Sequence, residues 1–272
     1  MSPGPDCHPF TRTRGPARRL AAALLAAAPM LAVATAACDR PGGAADRRSV
    51  VEQAVALAPE IERATGLRFT TPPKVEVRTR EQVRAFVTRA LDEPGARDEI
   101  AAQALAYRRL GALPDSVELG ALLGRLLGEQ VAGYYDPRSK TLYVVQGVDS
   151  ATAAATLRHE LVHALQDQHR DLDSLLHLRG NADRATAAHA ALEGQATWTQ
   201  VGGGADLASR FPGGWDRVRA QIRENADRAP GLADAPLVVR EGLLFPYLSG
   251  AELARCTMVA DLEALAARSV AA

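Results

Sequence analysis

The chain has 272 residues, of which 47% are hydrophobic, 24% charged and only 4% aromatic; that length and balance suit one sizeable globular domain and exclude a chain disordered throughout. Lys plus Arg and Asp plus Glu number 32 each, so no net field draws the protein toward nucleic acid, and no nucleic-acid partner is expected.

The first segment reads as an address. Arg12, Arg14, Arg18 and Arg19 precede an apolar run over 20–37, the layout of a secretory signal peptide. The run is mostly alanine, is broken by Pro29, and barely reaches the roughly 18 residues of a spanning helix. Thr35-Ala36-Ala37-Cys38 is similar to a bacterial lipobox, with Thr35 where such boxes usually carry Leu. Cleavage near Ala37 and lipidation of Cys38 both export the chain. An extracytoplasmic location is therefore expected, either secreted or attached to the envelope membrane through a lipid on Cys38. The expected organisation is a signal peptide over 1–38, a linker over 39–46 and a single domain over 47–272. Cys7 and Cys38 belong to the leader, which leaves Cys256 alone in the body; without a Cys-x-x-Cys pair it reads as a buried small hydrophobe.

Apolar residues at helical spacing predict a helix over 48–65, stopped by Gly66. Pro72-Pro73 breaks the chain, and Val75-Glu76-Val77 alternates as a short strand. Thr79 and Gln82 form a capping-box start for a helix through Leu91. Helices over 96–110 and 116–129 follow. The β-prone runs 131–135 and 141–145, joined by Asp136-Pro137-Arg138-Ser139-Lys140, predict a hairpin holding three of the five tyrosines. Those tyrosines serve either cross-strand packing or an edge strand beside a cleft. Asp149 or Ser150 caps the next helix, which runs to about 169. After a loop over 178–181, a helix over 183–198 ends before Gly202-Gly203-Gly204. Beyond a Pro/Gly turn at 211–214, two further helices are expected, the last over 249–268.

The helix over 150–169 carries the chemistry, in His159-Glu160-Leu161-Val162-His163. Residues four apart lie one above the other on a helix, so two imidazoles converge on one ion. Zinc accepts such a pair, takes a third protein ligand and leaves a fourth position for water. Glu160 follows the first ligand directly and is placed to act as general base toward that water, then as acid toward a leaving amine. Chance alone puts H-E-x-x-H in on the order of one in a hundred chains of this kind. Three residues compete for the third ligand. Glu193, in Leu192-Glu193-Gly194-Gln195-Ala196 on the following helix, is the first choice because its small neighbours let two helices approach. His169 lies ten residues after His159, but on a continuous helix it is rotated away from the His159 and His163 face. Asp183 is the third. His189, one turn before Glu193, reads as an ordinary helix histidine or as support for a ligand; Asp167 as a solvated acid or an orienting partner of His163; Tyr247 as a packing residue or a donor to a tetrahedral intermediate.

The Gly133-Tyr134-Tyr135-Asp136-Pro137 to Leu142-Tyr143-Val144 hairpin, residues 159–168, Leu192 to Ala196 and Phe245-Pro246-Tyr247 together resemble a class of bacterial gluzincin-like metallopeptidases, often exported or lipid-anchored. The resemblance covers about half the chain, 131–253. It implies an α+β, mainly helical zincin-like domain with a small antiparallel sheet beside the motif helix. It also implies zinc, a peptide or protein substrate, Glu193 as third ligand, and an edge strand that holds substrate by β-augmentation. Such chains usually continue further past Phe-Pro-Tyr. Two other readings stand beside hydrolysis of peptides: a non-catalytic envelope lipoprotein keeping the fold as a scaffold, and a zinc hydrolase acting on a non-peptide amide.

Overall fold

The computed structural model describes residues 47–176, 182–202, 207 and 211–257. The expected signal peptide, the linker, the 178–181 loop and the end of the last expected helix lie outside these. The fold is α+β and mainly helical. In chain order it comprises α1 (Arg47–Thr65), β1 (Lys74–Arg78), α2 (Arg80–Leu91), α3 (Pro94–Arg109), α4 (Leu119–Gln130), β2 (Gly133–Asp136) and β3 (Thr141–Val145). Then follow α5 (Ser150–His169), α6 (Leu172–Leu176), α7 (Ala182–Gln200), α8 (Gly214–Arg228) and α9 (Leu237–Cys256).

The sheet is mixed, a correction to the antiparallel sheet expected. Its order is β1-β3-β2, with β2 antiparallel and β1 parallel to β3. A parallel pair needs a long crossover, and the passage through α2, α3, α4 and β2 supplies it. Val75 and Tyr135 both register on Leu142, from opposite sides. β3 is buried along its whole length, and its alternation divides the core. Leu142 and Val144 join α1 and α5 in one cluster, whereas Tyr143 and Val145 join α2, α4, α8 and α9 in the other. The hairpin tyrosines divide accordingly. Tyr134 stacks on Phe86 at 4.3 Å and meets Tyr143 at 5.0 Å, while Tyr135 faces α5.

α5 starts where Asp149 accepts hydrogen bonds from the N–H groups of Ala151 and Thr152, satisfying two donors that the helix leaves open. Leu157, Leu161 and Leu165, at i+4 spacing, are fully buried behind the motif; each contributes about 1.5–3 kcal/mol. α9 differs from expectation, since it continues through Pro246 rather than starting near 249. Proline removes the bond to the carbonyl four residues earlier. That residue is Gly242, which is exposed, so water can satisfy the carbonyl. Cys256, expected to be buried, is exposed at the end of α9.

α7 packs on α5 and α9. Alanines at 185, 188, 190, 191 and 196 are buried along it, and at the α9 crossing even a methyl group is too large. A Cβ on Gly194 would lie 2.0 Å from the Gly250 carbonyl carbon, and one on Gly250 would lie 1.9 Å from the Ala190 oxygen. This contact seats α9 on α7, and Tyr247 on α9 comes to lie near His159 of the motif helix.

Candidate metal centre

α5 and α7 bring His159, His163 and Glu193 together. One potential ligand atom from each lies within 4.8 Å of the others, and all three residues are buried. Glu193 Oε2 is 3.0 Å from His159 Nε2 and 3.4 Å from His163 Nε2. The two rings stand edge to face, 4.9 Å apart, as residues i and i+4 on one helix face require. The other carboxylate oxygen of Glu193 lies 3.2 Å from His189 Nε2, so His189 shares the ligand carboxylate from one turn earlier.

Neither other candidate for third ligand reaches the group. His169 Nε2 sits 2.8 Å from the Arg68 carbonyl oxygen, on the side of α5 that helical rotation dictates. Asp183 is exposed near the start of α7, nearly three turns before Glu193. Asp167 is buried but does not touch His163. Its carboxylate accepts from Tyr135 Oη at 2.7 Å, Lys140 Nζ at 2.8 Å and the Leu172 N–H at 3.0 Å. It therefore ties the edge strand, the hairpin turn and α6 to the motif helix.

The partners of the imidazoles are glutamines, which sequence reasoning missed. His159 Nδ1 is 3.1 Å from Gln200 Oε1, and His163 Nδ1 is 2.9 Å from Gln166 Oε1. Gln166 sits three residues after His163 on the same helix, and that spacing was the only signal available.

Glu160 is buried, and the backbone N–H of Tyr135 hydrogen-bonds to its carboxylate. Burial pushes its pKa above the usual carboxylate range against the opposing pull of His159 and His163. Glu193 is equally buried, yet His163, His159 and His189 hold it well below that range. Burial lowers the His163 pKa, but the Glu193 charge outweighs it and raises the group to about 9. Two buried carboxylates lining one cavity are thus driven in opposite directions. Tyr247, whose ring lies 6.1 Å from that of His159, has its phenol pushed well above the usual range by burial and by Glu193 and Glu160.

The residues fit a divalent cation. Two imidazole nitrogens and a carboxylate are the donor set of an open zinc site. His163 Nε2, Glu160 Oε1 and Tyr247 Oη are among the buried polar atoms of the described residues that have no hydrogen-bond partner, and three of them beside one donor set is what an ion, a water or a ligand would satisfy. Glu160, His163 and Glu193 line a narrow cavity with Tyr135, Pro137, Leu172, Leu176 and Leu192. Compared with protein-family models, curated proteins and solved structures, the chain matches none.

Proposed function

We propose that the protein is a zinc-dependent peptide hydrolase of gluzincin type, with His159, His163 and Glu193 as zinc ligands and Glu160 as general base. The observation that carries this reading is the environment of Glu160. A carboxylate that only packed would not be held fully buried, with one oxygen unpartnered, beside a His2Glu ligand set.

Zinc bound there would lower the pKa of a water and polarise a substrate carbonyl. The protein's own groups then act as follows. The Tyr135 N–H fixes one oxygen of Glu160 and leaves Oε1 facing the cavity. From there Glu160 takes a proton from the attacking water and returns it to the leaving nitrogen. The buried Tyr247 hydroxyl offers a donor for negative charge developing on the carbonyl oxygen. Pro137, Leu172, Leu176 and Leu192 give the cavity an apolar wall.

A second reading is hydrolysis of a small non-peptide amide, which the same donor set and Glu160 would serve. Metal analysis and a substrate panel test both readings. Wild type should hold near-stoichiometric zinc, His163→Ala and Glu193→Ala should lose it, and Glu160→Gln should keep it while losing hydrolysis. Turnover of peptides supports the first reading, and turnover of N-acyl small molecules alone the second. Absence of zinc from wild type, or activity surviving Glu160→Gln, would refute both; zinc without turnover would move the protein to the scaffold reading.

We also infer export, with a lipid on Cys38 as the attachment. The arginine-led apolar run and the 35–38 box support this. Cell fractionation with Cys38→Ser tests it: release of the protein from the membrane fraction supports the lipid, and an unchanged distribution refutes it.

A further inference from the structure

The direction of each proton around Gln166 can be read from the acceptors it meets. Gln166 is buried, and its Nε2 lies 3.2 Å from the Leu192 carbonyl oxygen and 2.7 Å from Gln195 Oε1. A backbone carbonyl only accepts, so the NH2 end of Gln166 must face it. The reversed amide would set its oxygen against the Leu192 oxygen and lose that bond. Gln166 Oε1 therefore faces His163 Nδ1 at 2.9 Å. An amide oxygen only accepts too, so Nδ1 must carry the hydrogen. In the neutral ring that leaves the lone pair on Nε2, the atom that faces Glu193 and has no hydrogen-bond partner.

We propose that Gln166 is a positioning residue that fixes the tautomer and ring orientation of His163, so that Nε2 is presented as a ligand. The restraint originates at Leu192, immediately before Glu193 in the chain. One turn of α7 thus supplies a ligand directly and, through its carbonyl and Gln166, orients a second ligand on α5. Gln200 makes the corresponding contact to His159 Nδ1 from the last turn of α7. Glutamine provides the acceptor that such ligands require without adding a third buried carboxylate beside Glu160 and Glu193.

This inference rests on the zinc reading, and the experiment separates the two. Zinc affinity is measured by chelator competition for wild type, Gln166→Leu and Gln195→Leu, alongside long-range proton–nitrogen spectra of the imidazoles in the zinc-loaded wild type. The spectra should show His163 protonated at Nδ1 and metal-bound through Nε2. Gln166→Leu should lose about 10–100-fold in zinc affinity. Gln195→Leu also removes a buried amide but leaves the Leu192 carbonyl to hold Gln166, so its affinity should stay within about threefold of wild type on the same scale. Wild-type affinity in Gln166→Leu, an equal loss in both variants, or ligation through Nδ1 would overturn the assignment while the zinc reading stands. A wild type that binds no zinc would overturn both. If Gln166→Leu does not fold, the wild-type spectrum alone decides the tautomer.

Discussion

Substituting Gly194 by alanine tests whether the α7–α9 crossing holds the site in register. The added Cβ would lie 2.0 Å from the Gly250 carbonyl carbon and 2.2 Å from its oxygen. Carbon atoms pack at about 3.5–4.0 Å, so the helices must part by about 1.5 Å. The obstructing atoms are backbone and cannot rotate aside, which places the cost near the upper end of the roughly 1–3 kcal/mol typical of overpacking. Alanine's better helix propensity returns about 1 kcal/mol. A net loss of about 2 kcal/mol follows, or about 4–8 °C in Tm for a domain of this size. Separation would also draw Tyr247, one turn before Gly250, away from Glu193, which adjoins Gly194. Urea denaturation and zinc titration of Gly194→Ala and Gly250→Ala measure both effects. Gly242→Ala is the control, because its Cβ would meet nothing within 4 Å; it should be neutral or stabilise α9 by up to about 1 kcal/mol. A Gly194→Ala protein within about 0.5 kcal/mol of wild type would refute this account of the crossing.

Asp149→Ala should destabilise α5 by about 1 kcal/mol at neutral pH. Hydrogen bonds from Thr152 and Ala151 depress the Asp149 pKa, so its contribution is present above the unfolded pKa of about 3.9 and lost as pH falls through the lower folded value. Denaturation curves should show the gap narrowing below about pH 4, with Asp149→Asn close to wild type throughout; a gap constant to pH 2 would contradict the capping role. Asp167→Ala leaves the Tyr135 hydroxyl and the Leu172 N–H without a partner, at about 1–3 kcal/mol for each donor left buried. Lys140→Met should cost less than about 1 kcal/mol, because the lysine side chain is 59% exposed; equal losses in calorimetry would refute that division. Tyr247→Phe should retain zinc and lower kcat by about 10²–10³, and unchanged turnover would remove Tyr247 from the mechanism.

Local signals were the ones the sequence displayed well. The Thr79–Gln82 capping box, the hairpin and the motif helix all form, because each depends on residues a few positions apart. Long-range features were hidden. The alternation in Val75-Glu76-Val77 predicts a strand but not that it lies parallel to β3, since that follows from how far α2 to α4 carry the chain. The last helix was expected to begin only near 249, because whether a helix can run through Pro246 depends on what its i−4 carbonyl meets, and the exposure of Gly242 is a tertiary fact. The Gly194–Gly250 crossing was equally hidden; small residues around Glu193 suggested a close approach but did not identify the partner.

At the site, the H-E-x-x-H spacing nominated its residues because one helix holds them all, whereas Glu193 had to be weighed against His169 and Asp183 until the position of α7 separated them. Asp167 and Gln166 show where residue type misleads. A carboxylate near a metal histidine is the obvious orienting partner, yet Asp167 serves Tyr135, Lys140 and Leu172 instead. Gln166 carried no signal, since a glutamine is donor or acceptor according to which end is turned. The Leu192 carbonyl decides that orientation. A side chain without charge thereby acquires a defined electrostatic role that becomes readable only once α5 and α7 are packed together.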